Sequence, residues 1–320
     1  MTGSTVQRHA SRARRRWLAA AVLASAWPCA LPAVPTVVAS IGPLRALAAA
    51  IMGDLGQPVQ IVRGYGSPHA YQMRPSDAAH LRDAALVLWV GPSLETFLER
   101  PLAAAADRDT TRVLTMSGIP GLERLPSRRA GVRDAHGHGH AGDAPGSHDP
   151  HIWLNPRNAK AMAGAIAAAL AALDEENAPV YAANLERFER RADDLQTDIA
   201  SRLAPVRAVP FVVFHDAFQY FEKSFGLAAI GSLTVSPDRL PSAKRIKALR
   251  DEIVASGARC VFREPQFESA LVATLLEGTN ARSGVLDPLG SGVTPGPDAW
   301  FDLMNANADA LLECLGPGKD

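Results

Sequence analysis

The 320-residue sequence has no excess of either charge, only three cysteines, and no apolar run long enough to span a membrane. Its longest early apolar run, residues 17–27, has eleven residues, whereas a membrane-spanning helix needs about 20. We therefore expect a soluble mature chain. With 47% hydrophobic and 21% charged residues, the composition is that of a globular protein, and the length allows two domains.

The N-terminus has the layout of a signal peptide. Five arginines and no acidic residue occur in residues 1–33, the apolar run follows directly, and Ala30 and Ala33 offer cleavage sites. We expect residues 1–33 to be removed on export to the periplasm by the ordinary secretory route.

Removal of that leader leaves 28 basic and 33 acidic residues. A chain with this sign of net charge has no electrostatic reason to bind nucleic acid or an anionic membrane. The two cysteines that remain near the C-terminus, Cys260 and Cys314, are expected to pair in an oxidising compartment.

Short β-branched runs alternate with helical stretches on both sides of a long helical segment. Residues 34–155 are predicted to form an N-terminal domain with strands at 36–40, 59–62, 85–90 and 112–116. Residues 205–320 are predicted to form a C-terminal domain with strands at 209–214, 227–230, 260–263 and 282–285. This alternation is typical of βαβ units, so we predict an α/β fold: two (βα)n domains with mostly parallel sheets.

The intervening segment, residues 156–204, is rich in Ala, Leu, Glu and Arg, which are good helix formers. Asn177 and Pro179 indicate a break near its middle. The second half, about 178–203, is then predicted to form one helix of roughly 40 Å. This helix would connect the domains rigidly.

Residues 117–149 carry neither a helical nor a strand period and contain His136, His138, His140 and His148. This segment is predicted to be a mobile surface loop inserted in the N-terminal domain. Histidines separated by single glycines bind metal weakly, because ordering the loop costs conformational entropy.

Four further residues stand out in the sequence: His69, His151, His215 and Asp287. Of these, His69, His215 and Asp287 lie at or just past predicted strand ends, and His151 counts with the N-terminal domain. Ligands of open α/β sheets gather at the carboxyl ends of the strands, which predicts a site in the cleft between the domains. Three imidazoles and a carboxylate suit Zn²⁺, whereas a second carboxylate in place of one imidazole would favour manganese. Taken singly, each histidine also has an ordinary structural explanation, such as a turn residue or a buried histidine bonded to backbone.

Four sequence motifs resemble those of the cluster A-I solute-binding proteins, and among these the periplasmic zinc receptors of ABC transporters. They are residues 68–77 (PHAYQMRPSD), residues 149–156 (DPHIWLNP), residues 214–218 (FHDAF), and residues 264–267 (EPQF) together with 286–290 (LDPLG). The resemblance covers about residues 34–315. It implies two α/β domains joined by one long rigid helix, with the metal in the interdomain cleft.

By matching motif, the resemblance implies that His69, His151 and His215 are zinc ligands and that Asp287 supplies a carboxylate. It also implies a His-rich accessory loop, whose place is taken by His136, His138, His140 and His148, and a disulfide between Cys260 and Cys314. One position departs from the pattern, since some members have a glutamate where this chain has Pro68. The fourth ligand is therefore Asp287 or a water.

We expect a monomeric, non-enzymatic zinc receptor that delivers Zn²⁺ to an inner-membrane ABC permease with its cytoplasmic ATPase. The alternatives are a manganese or iron receptor of the same family, a periplasmic zinc store, and a zinc-dependent hydrolase or lyase. The last would need an open metal position beside a proton acceptor, for which Asp216 and Glu264 are the candidates.

Overall fold

The computed structural model describes residues 1–4, 34–106, 110–128, 131–132, 148–234, 241–267 and 270–317. The described residues from Val34 onward form one compact unit. Most of the predicted signal peptide lies outside the described residues. Within the described part of the chain, no helix combines the length and apolarity needed to cross a membrane.

The N-terminal sheet has four strands in the order β2-β1-β3-β4, and all of its pairs are parallel. Every residue of β1 and β3 is buried, because helices cover both faces of such a sheet. The strands are β1 (Val37–Ala39), β2 (Val59–Gln60), β3 (Leu86–Trp89) and β4 (Arg112–Thr115).

The C-terminal sheet has five strands in the order β5-β7-β6-β8-β9. Four are parallel, and β5 pairs antiparallel with β7 at the edge. The strands are β5 (Gly131–Val132), β6 (Phe211–His215), β7 (Gly231–Thr234), β8 (Cys260–Arg263) and β9 (Arg282–Val285).

Strand β5 corrects one prediction. Residues 117–149 were expected to carry no strand and to belong to the N-terminal domain, yet two of them extend the sheet of the C-terminal domain. A two-residue edge strand gives no periodic signal, because its pairing is supplied by the partner strand β7.

Helices alternate with these strands, as the α/β prediction requires. The helices are α1 (Gly42–Met52), α2 (Pro75–Asp83), α3 (Glu99–Ala106), α4 (Pro156–Leu173), α5 (Ala178–Leu203), α6 (Gln219–Phe225), α7 (Ala243–Ser256), α8 (Ala270–Leu276) and α9 (Ala299–Leu315).

The break between α4 and α5 falls where it was predicted. Asp174 ends α4, and its carboxylate accepts hydrogen bonds from the Asn177 amide and the Tyr181 hydroxyl. Helix α5 then runs for 26 residues, about 39 Å at 1.5 Å per residue.

One strand differs from its predicted position. Strand β7 begins at Gly231, not Leu227, because the preceding Ile230 only approaches the sheet through one bond to Phe211. Before helix α3, the buried carboxylate of Glu95 accepts hydrogen bonds from backbone N–H groups that follow β3.

A single large core cluster contains residues of both sheets and of α1, α4, α5 and α9. A smaller cluster lies between the C-terminal sheet and helices α7 and α8. The lengths of the two domains suggested a separate core for each. The structure instead has one large core cluster that both domains share. The predicted disulfide between Cys260 and Cys314 is present and joins the start of β8 to the end of α9.

Candidate metal centre

His215 is the last residue of β6 and is only 2% exposed. Its ring Nδ1 lies 2.5 Å from Glu264 Oε1, and its backbone N–H donates to the same oxygen over 3.2 Å. Glu264 directly follows β8, the strand beside β6. The carboxylate therefore fixes the ring so that Nε2 faces away from it, towards the cleft.

His151 is held in the same manner by an aspartate two residues earlier. Its Nδ1 lies 2.7 Å from Asp149 Oδ1, which also accepts the His151 backbone N–H over 3.0 Å. The Asp149 carbonyl in turn accepts the Tyr220 hydroxyl of α6. His151 is 4% exposed, so the ring and its carboxylate are both withdrawn from water.

His69 lies in the turn that follows β2 and is half-buried. Its backbone N–H donates to Ser67 Oγ over 3.3 Å. Its ring centroid is 5.7 Å from that of His151 and 5.6 Å from that of His215. The turn thus brings an N-terminal-domain histidine to the other two.

Among the described residues, these three histidines form one group whose potential ligand atoms all lie within 4.8 Å of one another. The Nε2 atoms of His151 and His215 are 3.2 Å apart. Two nitrogens bound tetrahedrally to zinc at about 2.0–2.1 Å would be separated by about 3.3 Å. The pair is therefore already spaced for one shared metal ion.

Burial and the neighbouring carboxylates set the charge of the two buried rings. Burial, with the nearby His215, lowers the pKa of His151 to about 3, so this imidazole is neutral at ordinary pH. Burial alone would lower the pKa of His215, but the adjacent Glu264 outweighs it and raises that pKa. A metal ion that bound this ring would have to displace a proton wherever the pH lies below that raised pKa.

The cavity bordered by the three histidines has a volume of only ≈ 10 Å³. That is about the space needed for one water molecule, so the group accommodates a single ion and not an organic substrate. Apolar side chains close its other sides, among them Trp153, Phe267 and Leu289.

Asp287 is not part of this group of potential ligand atoms. Its Oδ1 accepts hydrogen bonds from the Gln266 side chain and the Leu289 backbone, and its Oδ2 accepts from the Ser291 backbone over 2.6 Å. The carboxylate thus organises residues 287–291 of the cleft wall, and the structure does not bring it together with the three histidines.

A family model described as the periplasmic component A of the zinc-uptake complex, ZnuA, matches residues 37–314. The chain belongs to the ZnuA family. The high-affinity zinc uptake protein ZnuA of Brucella abortus (strain 2308) is 41% identical over 306 residues, covering 87% of this chain and 91% of that protein. ZnuA of Yersinia pestis is 39% identical over 318 residues, covering 94% and 99%.

A solved ZnuA structure agrees with this family assignment. A zinc-bound ZnuA lacking residues 138–173 of its own numbering aligns with a TM-score of 0.74 and 27% identity, covering 89% of this chain and 99% of that one. A laminin-binding adhesin of Streptococcus agalactiae aligns with a TM-score of 0.73 at 24% identity, a likeness that shows the fold alone.

The accessory-loop histidines of this ZnuA-family chain are only partly described. His136, His138 and His140 lie outside the described residues. His148 is exposed, forms an antiparallel bridge with Pro126, and is not part of the three-histidine group.

Sequence reasoning missed the orienting role of Asp149 and Glu264. Both could have been suspected, since Asp149 opens the motif that contains His151 and Glu264 directly follows a predicted strand. It also missed Arg128, whose guanidinium joins Asp216 at 2.5 Å and Glu222 at 3.0 Å. The two candidate catalytic bases of the enzyme alternative are thus bonded, Asp216 to Arg128 and Glu264 to His215.

Proposed function

We propose that this chain is a periplasmic receptor that binds Zn²⁺ through His69, His151 and His215 and delivers it to an inner-membrane ABC permease for import. Membership of the ZnuA family supports the transport role. The observation that carries the ligand assignment is the convergence of three imidazoles on a cavity the size of one ion.

The donor set favours zinc over manganese. All three candidate ligands are imidazole nitrogens, which suit zinc, whereas manganese prefers carboxylate and other oxygen ligands. The nearest carboxylates, Asp149 and Glu264, are bonded to the rings of His151 and His215, so they act on the ion through those rings.

For the fourth ligand we propose a water, with Asp287 as the alternative that the sequence leaves open. Ligation by Asp287 would require its carboxylate to give up hydrogen bonds to Gln266, Leu289 or Ser291. Asp287→Asn should therefore weaken zinc binding less than about tenfold, measured by competition with a chelator. A loss as large as that of a histidine variant would instead make Asp287 a ligand.

The deciding experiment is a zinc titration of the chelated mature protein. We expect one tight zinc per chain that manganese does not displace, a severe loss in His215→Ala, and no loss in His148→Ala. The second variant is the matched control, because His148 is an exposed histidine outside the group. Preference for manganese, or equal effects of the two variants, would contradict the assignment.

A growth test separates a transport receptor from a zinc store. A strain lacking this gene should grow poorly under zinc limitation and take up less radioactive zinc, and the wild-type gene should restore both. If the gene also restored growth in a strain that lacks the permease, the protein would act as a zinc store. Light scattering of the zinc-loaded protein should give the mass of a monomer.

We also propose that residues 1–33 are removed on export, which mass measurement of the periplasmic protein would test. Strand pairing of Gly131–Val132 with β7 and the bridge at His148 bracket the accessory loop. Replacing residues 133–147 with a short Gly-Ser linker should leave one tight zinc site and remove only weaker binding. Loss of the tight site would show that the loop histidines belong to it.

A further inference from the structure

A second, larger cavity of ≈ 280 Å³ lies beside the metal site. It is lined by residues that follow β1, β2 and β9, and Leu289 borders both cavities. The two domains approach closely here: a side chain added at Gly42 would come within 2.8 Å of the Leu289 carbonyl oxygen. The cavity therefore occupies the carboxyl ends of the strands, where α/β proteins bind ligands.

The polar side of this cavity is positively charged. Arg45 and Arg63 both line it, and neither aspartate nor glutamate occurs among its lining residues. Gln60 holds both arginines, since its side-chain oxygen accepts from Arg45 over 3.3 Å and its backbone oxygen accepts from Arg63 over 2.8 Å. Arg63 also pairs with the buried Asp77.

Arg45 differs from Arg63 because it has no carboxylate partner in the described part of the chain. It is only partly exposed, and burial lowers its pKa. A half-buried guanidinium without a counter-charge is costly, and an anion that enters the cavity would relieve that cost. Helix α1, whose N-terminal end borders the cavity and has no side-chain cap, adds to the positive potential.

The opposite side is apolar and includes Leu289, Val293 and Leu303. A ligand that fits both sides has one anionic head and a small apolar body. We propose that this cavity is a binding site for a small organic carboxylate, whose head is held by Arg45 and Arg63 and whose body packs on the wall shared with the metal site.

The test is ¹⁹F NMR of 4-fluorobenzoate added to the full mature chain, with 4-fluorobenzamide as the neutral probe of the same shape. We expect saturable binding of the carboxylate and much weaker binding of the amide. Absence of saturable carboxylate binding up to about 10 mM, or equal binding of both probes, would overturn the proposal.

Variants locate the bound probe. Arg45→Gln should weaken 4-fluorobenzoate binding by roughly tenfold or more, since a hydrogen bond to a charged group is lost. Arg45→Lys, which keeps the charge, should lose less. Arg100→Gln is the matched control, because Arg100 is an exposed arginine of the same domain that does not line the cavity. Equal effects of Arg45→Gln and Arg100→Gln would place the probe elsewhere.

Two further measurements keep this site distinct from the zinc site. Binding should occur in both zinc-loaded and chelated protein, whereas binding that requires zinc would mean that the carboxylate coordinates the ion, which overturns the proposal. Arg45→Gln should melt at the wild-type temperature and keep its tight zinc, so that a loss of probe binding reflects the lost charge and not a lost fold.

Discussion

The three histidines of the proposed metal site are held in two different ways. His151 and His215 are buried, and each has its Nδ1 bonded to a carboxylate that also accepts the backbone N–H of the same residue. We call these two residues the anchored pair. His69 is half-buried, lies in a turn, and is fastened through a backbone bond to Ser67.

This difference indicates how much conformational entropy each histidine loses when an ion binds. The anchored pair is fixed before the ion arrives, so zinc binding to it costs little conformational entropy. Ordering a surface turn costs more per residue. We therefore expect the anchored pair to supply most of the affinity and His69 to be the ligand that completes and releases the site.

The largest expected effect comes from the anchored pair. His215→Ala should weaken zinc binding by roughly 100-fold or more, because a zinc site worth about 10–16 kcal/mol loses one ligand of four. His69→Ala should lose about tenfold less and should mainly speed zinc dissociation. Chelator competition and stopped-flow release measure the two quantities. A His69→Ala loss equal to that of His215→Ala would remove the distinction.

An intermediate effect is expected from the carboxylate behind His215. Glu264→Gln should weaken zinc binding at pH 8 by about 10–100-fold, as is typical of residues that orient metal ligands. It should also change the pH dependence. Glu264 raises the pKa of His215, so wild-type affinity should begin to fall while the pH is still above about 6.5.

The sign of that change follows from the proton that zinc displaces. Below the pKa of His215, affinity falls about tenfold per pH unit, since one proton must leave. In Glu264→Gln burial remains and the largest of the charges that raise this pKa is gone, so the fall should begin at lower pH. Zinc titrations from pH 5 to 8 would show this shift, and an unchanged midpoint would contradict it.

Asp149→Asn is the matched control within the anchored pair. It should also weaken zinc binding, because the same kind of bond to the ring is altered. The pKa of His151 is about 3, so this ring carries no proton to displace above pH 5. Asp149 also helps to raise the pKa of His215, but less than Glu264 does, so the pH midpoint should fall by less than it does in Glu264→Gln.

The smallest expected effect on zinc comes from the disulfide. Cys260→Ala with Cys314→Ala should lower the free energy of unfolding by about 2–4 kcal/mol, measured by denaturant titration. Zinc affinity should change less than about twofold, since β8 remains paired with β6 and β9 and Glu264 keeps its bond to His215. A large loss of zinc affinity would mean that the hydrogen bonds from Asp149 and Glu264 are not sufficient to hold His151 and His215 in place.

Sequence patterns predicted those elements whose signals are local. Helix α5 occupies its predicted residues, because helix formers and the break at Asn177 act within a short stretch. Strands β8 and β9 also occupy their predicted residues, although each contains only one β-branched residue, a valine. The position of β7 was missed because neighbouring strands decide which residues enter the ladder. Similarly, the strand-end rule placed His69 and His215 in one cleft, whereas His151 follows no predicted strand. The position of Asp287 depends on Gln266 and Ser291, which no spacing in the sequence connects to it.

The continuous core and strand β5 together restrict how the ion can be exchanged. Helix α1 of the N-terminal domain packs against α4, α5 and α9, while the chain leaving that domain contributes β5 to the far sheet. A movement that separated the two domains would break the apolar contacts of α1 with α4, α5 and α9. It would also break the pairing of β5 with β7. We expect the less costly motion to be a displacement of residues 63–71 around His69. Exchange would then depend on the stiffness of this one turn, so that substitutions there alter zinc residence time while leaving the rest of the receptor unchanged.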